Sequence, residues 1–84
     1  MRILWDEPKR QGNLVKHGMD FADLDLGFFA DALVVAARDG RLRAVGEIDG
    51  IVTVIFVQLG SEALSVISMR PASEKEKKAY AEGL

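Results

Sequence analysis

Polar and apolar positions group at helical spacing in the first third of the chain and fall into strand-like runs over most of the rest. Residues 2–5 (Arg-Ile-Leu-Trp) read as a short first strand. Asp6 is placed to cap a helix, with Pro8 in its first turn, where a missing N–H does no harm. That helix runs to about His17 and stops at Gly18, the residue type that most readily closes a helix in the left-handed conformation. Gly12 weakens it by about 1 kcal/mol relative to alanine. Asp20 is expected to cap a second short helix, with Phe21, Leu24, Phe28 and Phe29 turned to the core.

Ala32–Ala37 is a β-type run, and Arg41–Ile48 alternates cleanly between its two faces. Asp49-Gly50 predicts a two-residue type I′ hairpin turn. Ile51–Val57 is almost continuously apolar, as suits a central strand covered on both faces. Leu59–Glu62 turns the chain into a last strand, Ala63–Arg70. Ser73 and Glu76 have capping-box spacing and open a helix to about Ala81. The order β-α-α-β-β-β-β-α predicts a single α+β domain over residues 1–84: a small antiparallel sheet with two N-terminal helices and one C-terminal helix.

The turns also predict a register. A two-residue hairpin pairs Ile48 with Ile51, Gly46 with Thr53 and Arg43 with Phe56. A four-residue second loop then sets Thr53 opposite Ser68 and Ile51 opposite Arg70. Gly46, Thr53, Ser68 and Arg70 thereby gather at one end of a face, and Phe56 shares the other with Arg41 and Arg43. Both faces carry many apolar residues for three short helices to cover, so an interface is expected.

Composition narrows the function. The chain has 84 residues and no cysteine, so its core is thin and neither disulfides nor thiolate metal sites stabilise it. No apolar run approaches the ~20 residues of a membrane span, and the N-terminus lacks a signal-peptide core, which points to the cytoplasm. With 11 Lys+Arg against 13 Asp+Glu, the net charge of −2 lacks the basic surplus usual in nucleic-acid binders. The charge is segregated, however. Four aspartates and no cation lie between Asp20 and Asp31, whereas Lys9, Arg10 and Lys16 cluster on the first helix and Arg38, Arg41 and Arg43 cluster further on.

The candidate sites follow that segregation. Lys16 and His17, the only histidine, close the first helix, where cations complement the dipole. Equally, imidazole is suited to general acid–base work and lysine to holding a phosphate. Lys9, Asn13 and His17 recur every four residues on one helical face. Arg70 either pairs with a carboxylate at the sheet edge or clamps a phosphate and stabilises its transition-state charge. Arg41 and Arg43 are either a solvated pair or, beside an aromatic, a track for stacked bases and phosphates. Lys75, Lys77 and Lys78 read as a wet helix face, and Tyr80 as a packing residue first and a site residue second. Ser68 has no base at its side in sequence. One histidine without cysteine offers no zinc site, and the Asp20, Asp23, Asp25 cluster reads as capping. No phosphate loop or G-x-G-x-x-G is present, so no nucleotide cofactor is expected.

Trp5, Asp6, Lys9, Asn13, Lys16, His17, Gly18 and Phe21 together resemble the W-D-x-x-K-x-x-x-N-x-x-K-H-G-x-x-F hallmark of the BrnT toxins. Ala44-Val45-Gly46 and the run Val66-Ile67-Ser68-Met69-Arg70-Pro71-Ala72-Ser73, with Glu76 and Tyr80, resemble the later motifs of that family. The resemblance covers nearly the whole chain. It implies a RelE-like microbial ribonuclease fold and metal-independent RNA cleavage that inhibits translation, without a cofactor. It also implies a ribbon-helix-helix antitoxin that forms a hetero-oligomer with the toxin and through which alone operator DNA is met. Carried over, Lys16 or His17 transfers the proton at the 2′-hydroxyl or leaving oxygen and Arg70 meets the phosphate. Lys9, Arg10, Asn13, Arg41, Arg43 and Tyr80 are the candidate RNA contacts. The alternative is a non-catalytic interaction module, an inactive toxin or corepressor acting only through its antitoxin.

Overall fold

A computed structural model describes residues 1–83. The elements are β1 (Arg2–Trp5), α1 (Glu7–His17), a 3₁₀ turn (Phe21–Asp23), α2 (Leu26–Asp31) and β2 (Leu33–Ala36). After a second 3₁₀ turn (Arg38–Gly40) come β3 (Leu42–Glu47), β4 (Ile51–Leu59), β5 (Ala63–Pro71) and α3 (Glu74–Gly83). One five-stranded sheet has the order β1-β5-β4-β3-β2. Consecutive strands pair antiparallel, and β1 adds to β5 in parallel, Arg2 opposite Ala63 through Trp5 opposite Val66. Residue alternation is blind to that direction, because a parallel and an antiparallel edge strand show the same period. No helix among the described residues is long and apolar enough to cross a membrane.

Gly18 ends α1 in the left-handed region at φ 68°, its N–H bonded to Leu14 O. Asp6 occupies the cap position at the other end, but its side chain makes no capping bond. The expected single second helix is divided. The Asp20 carboxylate caps only the 3₁₀ turn, accepting from Ala22 N at 2.9 Å, and Asp25 caps α2 through Phe28 N at 2.8 Å.

Both hairpins depart from the expected register, and core packing explains the first. Asp49 (φ 46°) and Gly50 (φ 114°) do take positive φ. Yet Ile48 N bonds Gly50 O, so Ile48 leaves the ladder and Glu47 pairs with Ile51. This register puts Val52, Val54 and Phe56 on the same face as Leu42, Ala44 and Gly46. The largest side chain of β4 thereby reaches the core, with Phe56 edge-on to Phe29 at 5.1 Å. Arg43 consequently faces Ile55, not Phe56, and Gly46 is parted from Thr53. The second loop is three residues, Gly60 to Glu62, and a bulge follows: Ile55 pairs with Ser68 and Phe56 with Val66, leaving Ile67 unpaired. Thr53 therefore pairs with Arg70, not Ser68.

The core lies on the first face, where Phe21, Leu24 and Phe28 cover Ala44, Val52, Val54, Phe56, Leu64, Val66 and Met69. Gly46 belongs to it for steric reasons: a Cβ there would sit 2.8 Å from Phe28 Cε1. The second face carries Arg43, Val45, Thr53, Ile55, Val57, Ser65, Ser68 and Arg70. Among the described residues only α3 packs there, on the β3 side, burying Val45 and Thr53 and leaving Ile55, Val57, Ser65 and Ser68 half-buried. The expected undercovered face is this one.

Candidate active site

The chemistry of the second face is organised by Glu76. As the sequence spacing requires, Ser73 and Glu76 cap α3 reciprocally, Ser73 Oγ accepting from Glu76 N at 3.1 Å and Glu76 Oε1 from Ser73 N at 2.9 Å. The same carboxylate, only 9% exposed, reaches across to the sheet. It accepts from Thr53 Oγ1 at 3.0 Å and from both terminal nitrogens of Arg70 at 2.7 and 2.9 Å, while Arg43 Nη1 lies 3.5 Å from Oε2. One buried anion thus fixes guanidiniums from β3 and β5, with the planar fork of Arg70 engaged bidentately. The Arg70 bonds, followed by those from Ser73 N and Thr53, outweigh burial and hold the Glu76 pKa at about 2. The same bonds raise the pKa of Arg70.

Two hollows adjoin this network. One, of about 450 Å³, is lined by Arg43, Arg70, Lys75 and Glu76 against Val35 and Val45. The other, of about 520 Å³, is lined by Arg38, Arg41, Arg43 and Ile55. Arg43 belongs to both, and its buried Nε–H finds no acceptor among the described residues. Among the residues lining the two hollows, Arg38, Arg41, Arg43, Arg70 and Lys75 are cationic and Glu76 is the one carboxylate. In a chain of net charge −2, this is a cationic concavity with an unmet donor, chemically suited to an anion.

The expected site residues separate into groups. Arg41, Arg43 and Arg70 line the hollows, whereas Lys9, Lys16 and His17 line neither. Those three belong to α1, which packs on β5; Lys9 and Lys16 are exposed and His17 is half-buried. Asn13 is not a free contact for RNA. It is 7% exposed, its Nδ2 donates to Met19 O and its Oδ1 accepts from Met69 N, both at 3.0 Å, so it seats α1 on β5. His17 follows by one helical turn on the same face.

Arg10 is likewise engaged within the protein. It bonds Glu7 at 2.6 to 2.9 Å and both oxygens of Asp20 at 3.0 Å, and a cation so neutralised offers little to a phosphate. Arg10, helped by Trp5 Nε1, lowers the Glu7 pKa to about 2. Asp20 is lowered first by the Ala22 N–H and then by Arg10. Tyr80 lines a third hollow with Asp25, Asp31 and Glu47, whose negative field repels a nucleic-acid backbone.

Sequence reasoning missed the roles of Glu76, Arg38 and Lys75. Glu76 is visible in sequence only as a cap, because its second use depends on the register. Arg38 was visible within the basic cluster, but its address in the same hollow as Arg43 was not.

A family profile described as "Ribonuclease toxin, BrnT, of type II toxin-antitoxin system" matches residues 5–76. The crystal structure of the Brucella abortus ribonuclease toxin BrnT is 58% identical to this chain, with a TM-score of 0.83. The match covers 88% of this chain and 99% of that one. A search of curated proteins finds no match.

Proposed function

This chain belongs to the BrnT family of ribonuclease toxins of type II toxin–antitoxin systems, and from that premise we propose that it cleaves RNA without a metal ion, on the open sheet face around Arg43 and Arg70. The observation that carries the reading is the pair of guanidiniums locked by Glu76 beside Arg38, Arg41 and Lys75. Such a cluster attracts the phosphate backbone and stabilises charge that develops on it. In metal-independent cleavage the 2′-oxygen attacks the adjacent phosphorus as its proton leaves. The bond to the 5′-oxygen then breaks, and that oxygen takes up a proton. Glu76 is a poor base for the first transfer, because its pKa is held near 2 and donors already occupy both its oxygens. We assign the phosphate to Arg70 and Arg43, and proton transfer to His17 with Lys16 beside it; both stand on α1 outside the two hollows, so this assignment requires the RNA to run from the arginine face to the end of α1. Lys9 and Arg41 extend the RNA track.

The type II family implies an antitoxin partner; we propose that it is a ribbon-helix-helix protein, that operator DNA is met only through it, and that the toxin acts in the cytoplasm. The second reading, a non-catalytic interaction module, draws on the engagement of the Arg70 fork by Glu76 in the free chain.

The test incubates the purified protein with a long single-stranded RNA in EDTA, beside His17→Ala, Arg43→Ala and Arg70→Ala. Removing a general base lowers the rate by about 10²–10⁴, and removing a transition-state donor by about 10²–10³. Cleavage abolished by EDTA would overturn metal independence. Cleavage unchanged in all three variants would move the site elsewhere. No cleavage by the wild type would favour the interaction module.

A further inference from the structure

The last strand of the sheet, β2, is short, at four residues, but carries no charge, proline or bulge to keep another strand from pairing with it. Among the described residues no strand lies beyond it, and its sequence, Leu33-Val34-Val35-Ala36, contains no charge and no proline. Val34 is 43% and Val35 37% exposed, on opposite faces. Edge strands are ordinarily blunted by lysine, proline, a bulge or a covering element.

The two sides of this edge differ in chemistry. Val34 pairs with Ala44 on the core face and borders an apolar hollow with Leu26, Phe29, Leu42 and Phe56. Val35 pairs with Arg43 on the other face and borders the cationic hollow of Arg43, Arg70 and Lys75. A strand laid along β2 alternates its side chains between those two environments, because its period is two. A second copy of this chain fits badly: its β2 would bring its own Arg43 and Arg70 toward these, and the Glu76 of each copy is already engaged by its own arginines.

We infer that β2 is the docking edge for an extended segment of the antitoxin in which apolar and acidic residues alternate. Backbone bonds to β2 supply much of the affinity. The apolar residues enter the hollow beside Val34, and the carboxylates enter the arginine hollow beside Val35. The consequence, that docking excludes RNA, rests on the site proposed above; the docking itself does not.

The experiment uses the toxin co-expressed and purified with its antitoxin, and the free toxin. Hydrogen exchange at the outward amides of β2 is expected to slow in the complex. Val34→Lys, which places a charge in the apolar hollow, is expected to weaken antitoxin binding by about tenfold or more. The same variant keeps the cleavage rate of the free toxin, because Val34 lies on the face opposite the arginines. Equal exchange at β2 in both states overturns the inference, as does unaltered binding by Val34→Lys. So does self-association of the free toxin through β2. Protection of β2 by the antitoxin in a protein that cleaves no RNA sustains the docking and removes the ribonuclease reading.

Discussion

Glu76→Gln is the sharpest perturbation the fold offers, because it preserves shape while removing one charge. The carboxylate accepts from Thr53, Ser73 N and both nitrogens of Arg70, with Arg43 at 3.5 Å. A glutamine oxygen retains some of these bonds, but its NH₂ must face a guanidinium donor. Charge-assisted bonds contribute about 1.5–3 kcal/mol each, and breaking a fully buried pair costs about 3–5 kcal/mol. Arg70 and Arg43 are 35% and 38% exposed and regain water when released, which discounts the larger figure. A loss of about 2 kcal/mol is expected, lowering Tm by roughly 8–15 °C in a domain of this size.

The pH dependence tests the cause. The folded pKa of Glu76 lies at about 2, below the usual 4.5. A depressed folded pKa contributes stability that is fully present above the unfolded value and is lost as pH falls toward the folded one. Denaturant unfolding of wild type and variant should therefore show a constant gap from neutral pH down to about 5, narrowing between about 4.5 and 2. Glu7 titrates in the same window but is common to both proteins and cancels. A gap under about 0.5 kcal/mol at neutral pH, within the range of ordinary surface substitutions, would refute the reasoning. So would a gap that persists unchanged at pH 3.

Three further outcomes follow from single contacts. Asn13→Ala leaves Met69 N–H and Met19 C=O without their partner and should cost about 1–3 kcal/mol, read by chemical denaturation. Gly46→Ala drives a methyl to 2.8 Å from Phe28 Cε1 and should cost about 1–3 kcal/mol through overpacking, seen as a lower Tm. Arg41→Ala removes an exposed side chain that makes no ion pair among the described residues, so stability should change by less than about 0.5 kcal/mol. RNA affinity should nonetheless fall across all sequences, with the slope of log K against log salt shallower by about one, as measured by filter binding.

Much of the local chemistry that depended on neighbours in the chain was legible in the sequence, although Asp6 makes no capping bond and Asp20 caps only a 3₁₀ turn. Gly18 ends α1, Ser73 and Glu76 cap α3, and the strand runs lie where β-type residues predicted them. What depended on pairing was not legible. The Asp49-Gly50 dipeptide indicates positive φ but not whether Ile48 remains in the ladder, and the burial of Phe56 decides that. Asn13 shares a helical face with Lys9 and His17 and reads as part of a cationic stripe. Only the docking of α1 on β5 turns its amide inward to Met69. Arg10 misled for the same reason: Asp20, ten residues away, is its partner only once the chain reverses after Gly18.

The bulge at Ile67 shows how far a single pairing choice reaches. Before it, Ser65 lies on the open face and Val66 in the core, each opposite its β4 partner Val57 and Phe56. Uninterrupted alternation from Ser65 would send Ile67 and Met69 to the open face and Ser68 and Arg70 into the core. Leaving Ile67 unpaired resets the parity, so Met69 is buried at 1% exposure and Arg70 emerges beside Thr53 and Glu76. A buried guanidinium without a carboxylate is strongly unfavourable, and an exposed methionine forfeits core contacts; the extra residue avoids both. The cationic face therefore exists because β5 departs from regularity at one residue. Without that departure Glu76 would have capped α3 with no arginine from β5 within its reach.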